Sequence, residues 1–135
     1  MISNCRLFDI QSFEDERGGL SFIEPGEDLK FNIARLYYLY RTSKNALRGV
    51  HAHKQLEQVL ISLNGSFEVL LSDGIESQTF LLDRPNLGLY VCPMIWRELN
   101  PIEDNSICAV LASRPYEEDD YIHNYDDFLS IAKKS

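Results

Sequence analysis

The chain has 135 residues, enough for one domain with a real core and too few for two of ordinary size, so residues 1–135 are read as a single domain. Hydrophobic residues make up 44% and aromatic ones 11%, which excludes a disordered chain. A net charge of −8, from 21 acids against 13 bases, argues against nucleic acid as a partner, since phosphate neutralisation needs a basic face. A few arginines can still make a locally positive pocket for one small anion.

The first residues, Met1 to Arg6, carry no apolar stretch of signal-peptide length, and no run approaches the ~20 apolar residues of a membrane span. Short apolar or alternating runs then follow one another as candidate strands: 5–10, 20–23, 33–40, 48–53, 57–63, 66–71, 78–82, 88–92, 95–99 and 106–112. Turn chemistry breaks them at Gly18-Gly19, Pro25-Gly26, Asn64-Gly65, Asp73-Gly74, Pro85-Asn86 and Asn100-Pro101. Asn64-Gly65, between two apolar runs, predicts a hairpin with a type I′ turn. So many short strands predict an all-β sandwich or barrel.

The tail changes period. From Glu117 to Lys134, Tyr121, Tyr125, Phe128 and Leu129 recur at three- and four-residue intervals, which predicts a C-terminal helix. Acids crowd its start and Lys133-Lys134 its end, as the helix dipole prefers. The run Glu117 to Asp120 is therefore read as a solvated helix start. Cys5, Cys92 and Cys108 are odd in number and scattered, so they are expected to be free thiols in a reducing compartment, and the protein to be cytoplasmic.

Chemistry concentrates in Arg48-Gly49-Val50-His51-Ala52-His53-Lys54-Gln55-Leu56-Glu57-Gln58. On a strand, residues i and i+2 face the same way, so His51 and His53 project into one space. The spacing H-x-H-x-x-x-E, followed by Gly65, is the first half of the cupin metal motif. Its second half should bring a further histidine, but Gly88 to Asn100 contains none. Arg97 stands near that place, and a guanidinium repels a metal; Glu98 could stand in as a ligand. Without metal, paired imidazoles suit proton transfer, because their unperturbed pKa of about 6.5 makes both base and conjugate acid competent near neutrality.

Further matching pieces run nearly the whole chain: Asp15-Glu16-Arg17-Gly18, Arg35-Leu36-Tyr37-Tyr38, Leu56 to Ile61, Leu63 to Ser66, Gly88 to Val91, Pro93, Trp96, Leu111-Ala112-Ser113, Asp119 to Ile122 and Asn124-Tyr125-Asp126. This ordered set resembles the sugar nucleotide 3,4-ketoisomerases, WxcM-like cupins that act on dTDP-4-keto-6-deoxy-D-glucose. The resemblance implies an all-β cupin barrel or jelly roll with a short C-terminal helix, no metal or other cofactor, a cytoplasmic homodimer, and a place in 3-amino-3,6-dideoxy sugar synthesis for surface glycans. The family divides by product, gluco or galacto at C4, and Arg17 and Arg97 are candidates for that choice.

On that reading His51 and His53 share the proton transfers, with His51 favoured as the base at C3 and Tyr37 as a neutral hydroxyl donor or relay. Arg48 is the candidate for stabilising oxyanion charge. Arg17, Arg41 and Arg97 are candidates for the diphosphate, because guanidinium geometry suits it. Tyr90 and Trp96 are candidates for stacking on thymine. Arg35 is assigned to an exposed face or a dimer interface, and Tyr121 and Tyr125 to helix packing. Three rivals stay open: a sugar-nucleotide 3,5-epimerase, a metal-dependent cupin oxygenase, and a non-catalytic nucleotide-sugar-binding cupin.

Overall fold

The structure is a computed structural model and describes residue 2 and residues 4–133. The strands are β1 (Arg6–Asp9), β2 (Gln11–Asp15), β3 (Gly18–Phe22), β4 (Arg35–Leu39), β5 (Arg48–His53), β6 (Gln58–Asn64), β7 (Phe67–Ser72), β8 (Ser77–Leu82), β9 (Leu87–Val91), β10 (Trp96–Pro101), β11 (Ile107–Ala112) and β12 (Tyr121–Ile122). A 3-10 turn (Glu118–Asp120) precedes β12, and helix α1 (Tyr125–Lys133) closes the described chain.

Two five-stranded antiparallel sheets form, in the orders β1-β9-β6-β11-β4 and β12-β5-β10-β7-β8. Period-2 alternation turns one face of each inward. Leu60, Leu89 and Val110 of the first sheet meet Val69, Leu71 and Leu99 of the second in one buried core. This is the all-β jelly roll expected of a cupin, built as two facing layers rather than one continuously closed wall. A smaller hairpin, β2–β3, stands apart with Phe13 and Leu20 exposed; β2 escaped the sequence reading because its residues are mostly exposed and polar.

Two local expectations need correction. β6 and β7 do not form a hairpin: they belong to different sheets, and Asn64-Gly65 carries the chain across the sandwich. Of that pair only Gly65 has positive φ, at 68°, and a Cβ there would lie 2.3 Å from Ser106 Oγ. The real hairpin is β7–β8, where Asp73 Oδ1 accepts from the backbone N–H groups of Ile75 and Glu76 at 2.8 and 2.7 Å.

The helix is also shorter than its predicted 117–134 span. Asp120 is not a solvated helix residue. Its carboxylate accepts from the backbone N–H groups of Gln55 and Leu56, at 2.8 and 3.2 Å, which ties the segment before α1 to the end of β5. Tyr121 consequently lies in β12, opposite His53, and not on the helix. The rest of the stripe holds: Phe128 is buried with Trp96, Ala52 and Ile122, and Leu129 packs against them. Lys134 lies outside the described residues. Cys5 and Cys108 are buried and Cys92 half-buried, all three unbridged, with the sulfurs of Cys5 and Cys92 3.7 Å apart.

Gly65→Ala should cost about 1–3 kcal/mol, because it adds left-handed strain to a clash with Ser106. Thermal or urea unfolding of the variant checks this, and an unchanged midpoint would contradict it.

Candidate active site

Strand β5 is irregular where it matters. Arg97 pairs with His51 but Leu99 pairs with Arg48, so β5 spends three steps where β10 spends two. The extra residue is a bulge at Gly49, whose φ is 60°. A Cβ at Gly49 would stand 3.1 Å from Arg97 Nη2. Glycine is thus needed both for the backbone conformation and for the guanidinium lying over it. Beyond the bulge, β5 projects both imidazoles into one space, their ring centroids 4.7 Å apart.

The two sheets meet there through polar groups. Arg97, 2% exposed, donates from Nη1 to Gln58 Oε1 at 2.7 Å and from Nη2 to the Tyr37 hydroxyl at 3.0 Å. Nη2 also lies 3.0 Å from His51 Nε2. A guanidinium has no acceptor, so the imidazole nitrogen receives that bond through its lone pair. The Tyr37 hydroxyl donates to Gln58 Oε1 at 3.3 Å, and Gln58 Nε2 lies 3.3 Å from His53 Nδ1. The Tyr121 ring covers both imidazoles, at 4.9 Å from His51 and 4.5 Å from His53.

The electrostatics are unusual. Among the described residues Arg97 takes part in no ion pair; its bonded neighbours are an amide, a phenol and an imidazole, all neutral groups. Burial, with the Arg97 charge next in importance, pushes His51 down to about 3 and His53 down to about 2. Both imidazoles are therefore uncharged at neutral pH. Buried donors also remain unspent in this cluster: Arg97 Nε, His53 Nε2 and Arg35 Nε have no partner among the described residues.

Of the predicted site residues, the fold brings together His51, His53, Tyr37 and Arg97. It does not bring the others to them. Arg48 is exposed at the start of β5, on the far side of the bulge, and its side chain makes no hydrogen bond or ion pair with the described residues. Arg17 sits at the tip of the β2–β3 hairpin, 85% exposed and paired with Asp15 at 2.7 Å. Arg41 follows β4 with a φ of 54°, its guanidinium 5.8 Å from the Tyr40 ring. Tyr90 points to the outer face of its sheet, among Ile10, Phe31 and Val59, and Trp96 is buried beneath α1. Neither aromatic ring shares the chamber of the histidines, since alternation turns both outward.

The half metal motif dissolves for the same reason. Glu57 precedes Gln58 and faces the opposite way, its carboxylate accepting from the Tyr90 hydroxyl at 2.6 Å. Glu98 likewise points outward and accepts from Trp96 Nε1 at 3.1 Å. Two imidazoles remain, with a guanidinium at one of them, and this donor set does not suit a cation.

Three participants were not picked out from sequence. Gln58 falls inside the predicted strand 57–63, and a polar residue at the head of an apolar run is its one signal. Tyr121 was assigned to helix packing because its spacing to Tyr125 is also helical. Arg35 was placed outside, yet its guanidinium lies 5.1 Å from the Tyr37 ring and 5.8 Å from that of Tyr116. A cleft of about 750 Å³, lined by Ile10, Ile23, Ile33, Ile61, Leu63 and Leu111 among others, lies on the outer face of the first sheet and contains neither histidine.

Comparison with known proteins follows the same line. The family described as FdtA: WxcM-like, C-terminal, matches residues 3–133. The TDP-4-oxo-6-deoxy-alpha-D-glucose-3,4-oxoisomerase of Aneurinibacillus thermoaerophilus is 44% identical over 129 residues, covering 96% of this chain and 93% of its own. A 3,4-ketoisomerase from Helicobacter canadensis superposes with a TM-score of 0.93 at 39% identity, over 96% of this chain and 98% of that one. An asparagine-for-histidine variant of the 3,4-ketoisomerase QdtA from Thermoanaerobacterium thermosaccharolyticum, solved with TDP-4-keto-6-deoxyglucose, gives 0.94 at 40% identity, over 99% and 97%.

The lowered histidines make stability depend on pH. Unfolded, both protonate near pH 6.5; folded, they stay neutral down to about 3 and about 2. The unfolded chain therefore binds more protons in that window, and stability present above pH 6.5 is lost as the pH falls through it. Melting curves between about pH 7.5 and 5 should show a steeper fall for wild type than for a chain carrying His51→Asn and His53→Asn. Equal slopes would mean that the imidazoles titrate normally.

Proposed function

We infer that this chain, which belongs to the FdtA, WxcM-like family, is a sugar-nucleotide 3,4-ketoisomerase that moves the ketone of dTDP-4-keto-6-deoxy-D-glucose from C4 to C3. The observation that carries the reading is the buried Arg97 guanidinium. It has no carboxylate to neutralise it and stands beside two neutral imidazoles. An isolated buried charge costs several kcal/mol, a cost that an anionic intermediate would offset.

The chemistry needs little else. A base takes the C3 proton, the C–H electron pair becomes the C3=C4 double bond, and the carbonyl pair moves onto O4 as an oxyanion. Protonation of O4 gives the enediol. Loss of the O3 proton then re-forms a carbonyl at C3 as C4 takes up a proton. The lone pair of His51 Nε2 is the base. Arg97 holds it in the unliganded chain, so binding must draw the guanidinium from the imidazole onto the substrate oxygen. That single exchange frees the base and places positive charge where negative charge develops. Tyr37, bonded to Arg97, is the neutral hydroxyl able to relay the O–H protons.

Arg97 takes the oxyanion role in preference to Arg48, and Arg35 is the nearest further cation for the diphosphate. The reading as a homodimer rests on β4, an edge strand whose outer face exposes Leu36 and Tyr38 at 58% and 57%. A cytoplasmic site rests on three unbridged thiols. No helix among the described residues is long and apolar enough to cross a membrane.

Incubation with the dTDP-4-keto sugar in heavy water, followed by NMR, should show the carbonyl at C3 and deuterium at C4. An unchanged sugar would mark a non-catalytic binder, and exchange at C5 without migration a 3,5-epimerase. His51→Asn should abolish turnover while nucleotide binding survives; equal loss of both would make His51 a structural residue. Sedimentation should give a dimer for wild type and a monomer for Leu36→Asp with Tyr38→Asp, and a monomeric wild type would end the dimer reading.

A further inference from the structure

The amide of Gln58 occupies the centre of the network, bonded to Arg97, Tyr37 and His53. It is 1% exposed and leads strand β6 ahead of Val59, Leu60 and Ile61, all of them buried. A buried amide is tolerated only when its hydrogen bonds are made. Which way round it lies follows from its partners. Arg97 Nη1, 2.7 Å from Oε1, is a donor and nothing else, so the carbonyl end of the amide faces the guanidinium. The Tyr37 hydroxyl adds a second bond to the same oxygen.

The NH2 end therefore faces His53 Nδ1, at 3.3 Å. That group only donates, so Nδ1 accepts, and a neutral imidazole with an accepting Nδ1 carries its hydrogen on Nε2. At His51 the outcome is reversed. Arg97 Nη2 donates to Nε2, so the hydrogen of neutral His51 is on Nδ1. Two histidines on one strand face are thus held in opposite tautomers, one presenting a lone pair and the other an N–H. The His53 N–H has no partner among the described residues and lies among the His51 and Tyr121 rings.

A neutral imidazole is far too weak an acid to give up that hydrogen, but it donates a strong hydrogen bond to a developing oxyanion. We propose that Gln58 is a positioning residue that locks His53 as the Nε2–H tautomer, so that His53 donates a hydrogen bond to the enediolate oxygen while His51 alone carries the proton between C3 and C4. Gln58 acts through His53 and Arg97, without contact to the sugar. The proposal rests on the ketoisomerase reading above for its chemistry, though not for its tautomers.

Nitrogen-15 NMR of histidine-labelled protein tests it, with the three histidines assigned by loss of signals in His51→Asn and in His123→Asn. The unliganded wild type should show His53 with hydrogen on Nε2 and His51 with hydrogen on Nδ1 near neutral pH. In Gln58→Glu the carboxylate still accepts from Arg97 but presents an acceptor to Nδ1, so the His53 hydrogen should move to Nδ1. Turnover should then fall ~100-fold, the loss typical of one missing oxyanion donor, with KM held within about twofold. A wild-type His53 with hydrogen on Nδ1 overturns the assignment, whether or not Gln58→Glu folds. Undiminished kcat in a Gln58→Glu protein whose tautomer has switched overturns it equally. Failure of wild type to move the ketone would instead remove the activity and leave the tautomer result to be read on its own.

Discussion

A positive charge buried between two sheets, with no negative charge beside it, governs this molecule. Arg97 hydrogen-bonds to Gln58, Tyr37 and His51, and none of them neutralises it. Hydrogen bonds to neutral acceptors reduce the cost of burial without cancelling it. What the arrangement secures is a charge that needs no reorganisation when an anion forms. Burial, together with the same charge, keeps both imidazoles neutral, which leaves each ring one lone pair and one N–H.

The sandwich makes this possible by giving its two sheets different parts of the site. β5 and β10 supply His51, His53 and Arg97, while β4 and β6 supply Tyr37 and Gln58. Each strand contributes inward groups at alternate positions, and the apolar core of Leu60, Val69 and Leu99 fixes the spacing of the sheets. The bulge at Gly49 interrupts the regular β5–β10 pairing, and it provides the room in which the guanidinium lies. The apolar clusters outside the sheets serve support. Trp96, Phe128 and Ile122 hold down the segment that carries Tyr121 over the histidines.

Much of this was legible in the chain. The strand periods, the helical stripe around Phe128, and the shared face of His51 and His53 all depend on repeats of two or 3.6 residues that any local window reveals. The histidine pair, Tyr37 and Arg97 were all named from the chain. Errors came where direction across a sheet decides. Glu57, Tyr90 and Trp96 look like site residues in one dimension, and a single step of alternation turns each outward. Asn64-Gly65 has hairpin chemistry, but β6 and β7 found partners elsewhere.

By itself the sequence determined the chemistry available: two imidazoles in register on a strand, an arginine where a metal-binding cupin would carry histidine, and a glycine ahead of the pair. Tertiary structure alone decided how those groups are used. Gln58 meets Arg97, 39 residues along the chain, and His53, on the preceding strand, only because their strands face each other across the core. Tautomer, charge and burial of an imidazole depend on what stands within a few ångströms of its nitrogens. No spacing along a single strand encodes that neighbour, because it arrives from another strand: Arg97 from β10 beside His51, and Gln58 from the opposite sheet to His53.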